Sequence, residues 1–275
     1  MMNSLFKKNV KSSDGLNLYY EIVEGDNDKP SIFFLHGIGG DLDAWRFVRG
    51  RLLKNGNSSI AMDFRGHGYS DHPRGFKSYK IGNFVEDVAS IISAEKLGKI
   101  ILIGHCFGAV VAEHFAVKYP EKLQKLVLIS STYRPPNYII GNFLRTIAGG
   151  LSYLGAFLSP KPYRPRHSDY PSGKFHNDYE WFGLMKTILH NSLRSYLLTS
   201  KEIIDLKFEK ELAKIKTPTL VIVGEKDSIF KVAISKKIHK EIFGSKFMII
   251  KGGNHVVILN DSEEVSKIIG DFLIQ

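Results

Sequence analysis

The sequence predicts an α/β chain: a mostly parallel sheet flanked by helices, interrupted late in the chain by a helical insertion. Three observations carry this. Short β-branched runs alternate with amphipathic helical stretches. Several of the runs are apolar throughout, as strands covered on both faces must be. Strand signals then vanish after Ser131 and resume at Pro218. With 275 residues and 43% hydrophobic content the chain can bury a large core.

The first fifteen residues, MMNSLFKKNVKSSDG, hold no apolar core of signal-peptide length. Together with the cysteine usage this leads to the expectation of a cytoplasmic protein. Strands are expected at 17–23, 31–35, 59–63, 100–103, 126–129, 219–223 and 246–250, each bounded by Gly, Pro or Asn. Phe84, Val85, Val88, Ile91 and Ile92 recur at helical spacing, with Glu86 and Asp87 expected on the outer face. Further helices are expected at 110–118, stopped by Pro120, and at 263–272.

From Arg134 to about Lys210, Tyr, Trp, Pro and helical segments such as 182–198 take over. Pro135-Pro136 and Lys216-Thr217-Pro218 read as hinges. The expected organisation is a core of 1–133 and 213–275 with a cap of 134–212.

Composition narrows the function. The single cysteine leaves no intramolecular disulfide and no multi-cysteine metal site. The net charge of +10 is spread over loops and helix faces, densest at Lys161, Arg164, Arg166 and Lys174, so nucleic acid is not an expected partner. The longest apolar run, 138–158, is broken by Asn142, Arg145 and Gly149-Gly150, which fits one or two buried helices rather than stable membrane insertion. No glycine-rich phosphate loop or dinucleotide fingerprint occurs.

The chemistry centres on "IGHCFGAV", 103–110. A strand, then Gly104-x-Cys106-x-Gly108, then a small-residue helix is the context of a sharp turn that presents a nucleophile. The small residues relieve crowding around a strained apex, and the positive helix end suits an anionic nucleophile. A lone cysteine can also be a small buried hydrophobe.

Downstream, "VIVGEKDSIF" supplies Asp227 after a strand, with Glu225 as a rival acid, and "KGGNHVVIL" supplies His255 after the last strand. Nucleophile, acid and histidine, each just past the carboxyl end of a strand, fall on one edge of a parallel sheet. The glycine-rich loop in "FFLHGIGGD" offers the backbone N–H of Ile38, which with that of Phe107 makes a candidate oxyanion hole. His36 is expected to shape that loop and His105 to pack beside the turn.

These residues resemble the α/β-hydrolase fold family, in its capped esterase and lactonase group. The likeness covers the His36-Gly37 loop, "DFRGHGYSD" at 63–71, the Gly104 to Gly108 elbow, "TPTLVIVGEKD" and the His255 loop. It implies an eight-stranded, mostly parallel sheet, a lid formed by the insertion, no metal and no organic cofactor, and Cys106, His255 and Asp227 acting as a triad. The departure is Cys106, where most members carry serine. The cap residues Tyr163, Tyr170, Tyr179 and Trp181 are then expected to shape the substrate pocket.

A thiolate is a better leaving group than an alkoxide, so its adduct with a plain alkyl ester tends to revert, and activated acyl groups are favoured. The expected activity is hydrolysis of a small ester or lactone, a small-molecule acyl substrate, through an acyl-cysteine. Acyl transfer or thioester cleavage on the same residues, and a non-catalytic ligand receptor, are the alternatives.

Overall fold

The computed structural model describes residues 4–26, 28–135, 142–158, 166–170 and 192–275. Tyr163, Tyr179, Trp181, most of the expected 182–198 helix and Pro136 lie outside them.

Eight strands, β1 (Leu5–Lys11), β2 (Asn17–Val23), β3 (Ile32–Leu35), β4 (Ser59–Met62), β5 (Ile100–His105), β6 (Leu123–Ile129), β7 (Thr219–Gly224) and β8 (Lys246–Ile250), form one sheet. Their order is β1-β2-β4-β3-β5-β6-β7-β8. Only β1–β2 and β2–β4 pair antiparallel; the remaining neighbours are parallel. Seven of these strands were expected from pattern; β1 was not. Its burial alternates poorly, because an edge strand bearing Lys7, Lys8 and Lys11 lies mostly in solvent.

Both faces of the sheet are covered, which explains the unbroken apolar runs. Along β3, Phe33 and Leu35 join one core, while Ile32 and Phe34 join the other. The period of two sends neighbours to opposite sides. The first core takes helices α2 (Ile81–Ala94), α3 (Phe107–Lys118) and, later in the chain, α6 (Val232–Glu241). The second takes α1 (Arg46–Leu52) and α7 (Ser262–Leu273). Each fully buried Phe or Leu in these layers contributes about 1.5–3 kcal/mol.

One expectation on α2 is corrected. Asp87 faces inward, fully buried, and its carboxylate accepts from Arg65 Nε at 2.7 Å and Nη2 at 2.6 Å. Arg65 also binds Asp14, so the pair pins the 63–71 loop against α2. A buried guanidinium needs such partners, and helical periodicity cannot announce them.

Between β6 and β7 the regular elements among the described residues are helical: α4 (Asn142–Leu158), α5 (Leu193–Ile204) and a short helical turn at Glu209–Leu212. Part of the stretch expected to make buried helices lies instead in solvent: on α4, Leu151 is 62%, Leu154 55% and Phe157 70% exposed. Among the described residues no helix is long and apolar enough to cross a membrane. α5 meets the core through Ser195, whose Oγ lies 3.0 Å from Tyr79 Oη, and through Glu202, which accepts from Lys80 and from the Ile81 N–H.

Candidate active site

The carboxyl ends of β3, β5, β7 and β8 bring the site together. Cys106 follows β5 and precedes α3, with φ +54° and ψ −118°. That left-handed backbone costs a non-glycine residue about 1–3 kcal/mol. The strain is held by the sheet: the Cys106 N–H donates to the Ile129 carbonyl at 2.9 Å, and its own carbonyl accepts from Ala109 and Val110 to start α3.

The two flanking glycines are dictated by contact. A Cβ on Gly104 would lie 2.3 Å from the Gly108 carbonyl oxygen, and one on Gly108 would lie 2.2 Å from that of Leu35. The elbow is therefore seated directly on the end of β3. Cys106 is a free thiol and half-buried.

The loop after β3 runs along the other side. A Cβ on Gly37 would come within 3.1 Å of Cys106 Cβ, so this loop passes against the cysteine. Ile38 and Cys106 pack against the same core. Phe107 is the first residue of α3, and N–H groups in a first helical turn have no intrahelical acceptor. The loop that carries Ile38 and the helix start that carries Phe107 thus flank one cysteine.

His36 shapes the loop as expected: its Nε2 accepts the Phe64 N–H at 3.0 Å and its Nδ1–H donates to Gly37 O at 2.8 Å. Burial holds it neutral, well below the ordinary histidine value. His67 Nε2 accepts from the Gly39 N–H at 3.2 Å, and burial lowers its pKa to about 4.

His255, fully enclosed, donates through Nδ1 to Asp227 Oδ2 at 2.9 Å, with Oδ1 at 3.1 Å. The Cys106 side chain also acts on His255. Burial pulls the His255 pKa down, but the Asp227 carboxylate and the Cys106 side chain outweigh it and hold it at about 10. Asp227 is ionised below its usual range: burial acts to raise its pKa, and His255 and the Phe230 N–H, 2.8 Å from Oδ1, prevail. Ser130, which has φ +49°, also acts to lower it.

The rival acid is elsewhere. Glu225 is exposed and accepts from the Gly252 N–H at 2.8 Å. The approach of β7 to the His255 loop is tight: a Cβ on Gly224 would lie 2.2 Å from the Asn254 carbonyl oxygen.

Two features escaped the sequence reading. His105 does more than pack, since its Nε2–H donates to the His255 carbonyl at 2.9 Å. The stretch 166–170 docks on the loop after β3. Tyr170, expected on the pocket wall, is 3% exposed and its hydroxyl accepts the Asp41 N–H at 3.2 Å. It is packed in the core with Trp45 and Leu42 and committed to this loop. Only an Asp-rich loop facing a His-bearing insertion hinted at such a contact.

A family model described as "Serine aminopeptidase, S33" (Hydrolase_4) matches residues 26–263. The chain is 29% identical to a Bacillus subtilis (strain 168) protein provisionally named a 2-succinyl-6-hydroxy-2,4-cyclohexadiene-1-carboxylate synthase, over 96% of this chain and 97% of that one. It is 24% identical to the proline iminopeptidase of Saccharolobus solfataricus, over 95% and 90% of the two chains. Among solved structures, a thermophilic esterase from Thermogutta terrifontis has a TM-score of 0.79 at 20% identity, covering 98% of each chain. The enol-lactonase from Burkholderia xenovorans LB400 has 0.77 at 20% identity, over 98% of this chain and 100% of that one. Those two likenesses establish a common fold. With the match running through every element that builds the site, the chain is an enzyme of the α/β-hydrolase type and belongs to the serine aminopeptidase, S33 family, carrying Cys106 at the apex of its elbow.

Proposed function

We propose that this protein hydrolyses small carboxylic esters or lactones through an acyl-cysteine, with Cys106 as nucleophile, His255 as acid and base, and Asp227 as its orienting carboxylate. The observation that carries this is the buried Asp227–His255 pair, whose histidine is acted on by the side chain of a half-buried cysteine on a strained elbow. Cys106 Sγ, having passed its proton to His255 Nε2, attacks the acyl carbon while the carbonyl oxygen gains negative charge against the N–H groups of Ile38 and Phe107. Collapse breaks the C–O bond, and the leaving alkoxide takes the proton from His255 Nε2. Water then attacks the thioester, giving its proton to His255 and releasing the acid and the Cys106 thiol. The solved esterase and enol-lactonase share the fold on which these roles are placed.

A second reading keeps the same first half-reaction and replaces water by an alcohol, thiol or amine, or begins from a thioester. Sulfur at the elbow favours it, because a thiolate exchanges most readily with good leaving groups. The segment 134–212 serves in either case as a lid over the site.

Intact-mass spectrometry after mixing with aryl esters, lactones and acyl-thioesters tests the reading. An acyl adduct mapped to Cys106, accumulating in His255→Ala and turning over in the wild type, is the expected result. Hydrolysis by a Cys106→Ala variant at the wild-type rate would refute it.

A further inference from the structure

The loop carrying Ile38 is surrounded by carboxylates. Asp63, at the end of β4, accepts the Leu42 N–H through Oδ1 at 2.9 Å and the Tyr69 N–H through Oδ2 at 2.8 Å. Asp41 is fully buried; its Oδ1 accepts the Asp43 N–H at 3.0 Å and its Oδ2 the Ser168 N–H at 2.7 Å. Gly68 makes room for this arrangement, since a Cβ there would fall 2.1 Å from Asp63 Oδ2. Three aspartates brought this close in space repel one another unless a cation is supplied.

The cation comes from the insertion. His167 Nε2 lies 2.7 Å from Asp63 Oδ2, and its Nδ1 lies 3.2 Å from Asp43 Oδ2. Neither carboxylate can donate when ionised, so both ring nitrogens donate, which only an imidazolium can do. Tyr69 and Tyr19 present their rings to it edge-on at 4.4 and 5.6 Å. The neighbouring Ser168 N–H and Tyr170 hydroxyl bind Asp41 at the same time, and Arg46 holds the Tyr170 carbonyl.

We infer that His167 is a positioning residue of the site: by pairing with Asp63 and Asp43 it holds the loop 37–43 in the conformation that aims the Ile38 N–H at the reacting carbonyl. The stretch 166–170 thus helps to set the geometry of the oxyanion loop. Burial opposes charge on His167, yet Asp43 and Asp63 hold its pKa at about 10, so the clamp stays closed at neutral pH. Asp41, which has no ion pair among the described residues, is pushed up by burial and by Asp63 to about 7.

The inference rests on the ester-hydrolase reading for its kinetic arm alone. Hydrogen exchange is measured by mass spectrometry for wild type, His167→Gln and His167→Ala, together with kcat and KM on p-nitrophenyl acetate. The expected result is at least about tenfold faster exchange in peptides spanning 37–45, with 106–118 and 250–258 unchanged, and a ten- to hundredfold fall in kcat with KM within about threefold. His167→Gln, which keeps one donor, carries the test if the alanine variant does not fold. Unchanged protection of 37–45, or a loosened loop with wild-type kcat, overturns the clamp. A wild type inert on every ester, with the loop still loosened in the variants, refutes the ester-hydrolase reading and leaves the clamp standing.

Discussion

His105 Nε2 donates to the backbone carbonyl of His255 at 2.9 Å, tying the residue before the candidate nucleophile to the residue that would serve as its base. The end of β5 and the loop after β8, 150 positions apart in the chain, are thereby fixed by one side chain. Burial, with the nearby His255, lowers the His105 pKa to about 3, so it remains a neutral donor. His105→Ala should cut kcat about tenfold or more, with His105→Gln restoring part of it because its amide can still donate. Steady-state kinetics on an aryl ester decides, and equal kcat in all three forms would remove His105 from the site.

Gly108 tests the seating of the elbow. The 2.2 Å approach of an added Cβ to the Leu35 carbonyl oxygen meets backbone on both sides, and neither can yield easily. Gly108→Ala should lower stability by about 1–3 kcal/mol, as overpacked sites do, and displace Phe107. Urea unfolding monitored by fluorescence measures it; an unchanged midpoint with full activity contradicts the packing.

The pH profile should reveal His255. Its pKa is raised in the fold to about 10 from an ordinary 6.5, so the proton for the leaving group is present at neutral pH and is lost as pH rises through about 10. The same shift stabilises the fold fully below about 6.5, and that contribution disappears through the same alkaline range. Asp227→Asn removes the largest charge that opposes burial, and the alkaline limb of kcat/KM should move to lower pH. His167 titrates in the same range, so the His167→Gln variant, expected to retain the limb, separates the two. Glu225→Gln, altered outside the site, should leave the profile unmoved; a shift there and none in Asp227→Asn would reassign the acid.

Sulfur at the elbow should set the preference among leaving groups. Cys106→Ser keeps the geometry but makes the attacking atom harder to expel, so activity on alkyl esters should rise relative to aryl esters and thioesters by about tenfold. The ratio of kcat/KM for a matched alkyl and aryl ester in both proteins is the measurement. An unchanged ratio would show that the cysteine does not govern leaving-group choice.

The centre of the parallel sheet was readable because β3 and β7 are buried along their whole length and announce themselves by unbroken apolar runs; the expected 17–23 and 246–250 also coincide with β2 and β8, although β2 pairs antiparallel and β8 is largely exposed. The elbow was readable because Gly104 and Gly108 are required by contacts within a few residues of the turn and with β3. β1 was hidden because its pairing with β2, rather than an apolar pattern, specifies it. The inward turn of Asp87 depends on Arg65, 22 positions away, and the docking of His167 on Asp63 spans 104 positions. Local periodicity holds no record of partners that distant.

That Cys106 is the only sulfur nucleophile in 275 residues gives the molecule a built-in counter. One equivalent of a chromogenic disulfide or maleimide dye consumed per chain reports the fraction of molecules whose elbow is accessible, with no background from other thiols to subtract. A fluorophore placed there would sit between the loop after β3 and the first turn of α3, where occupancy by any guest changes its surroundings. Every preparation can thus be standardised to competent sites before its substrate is known.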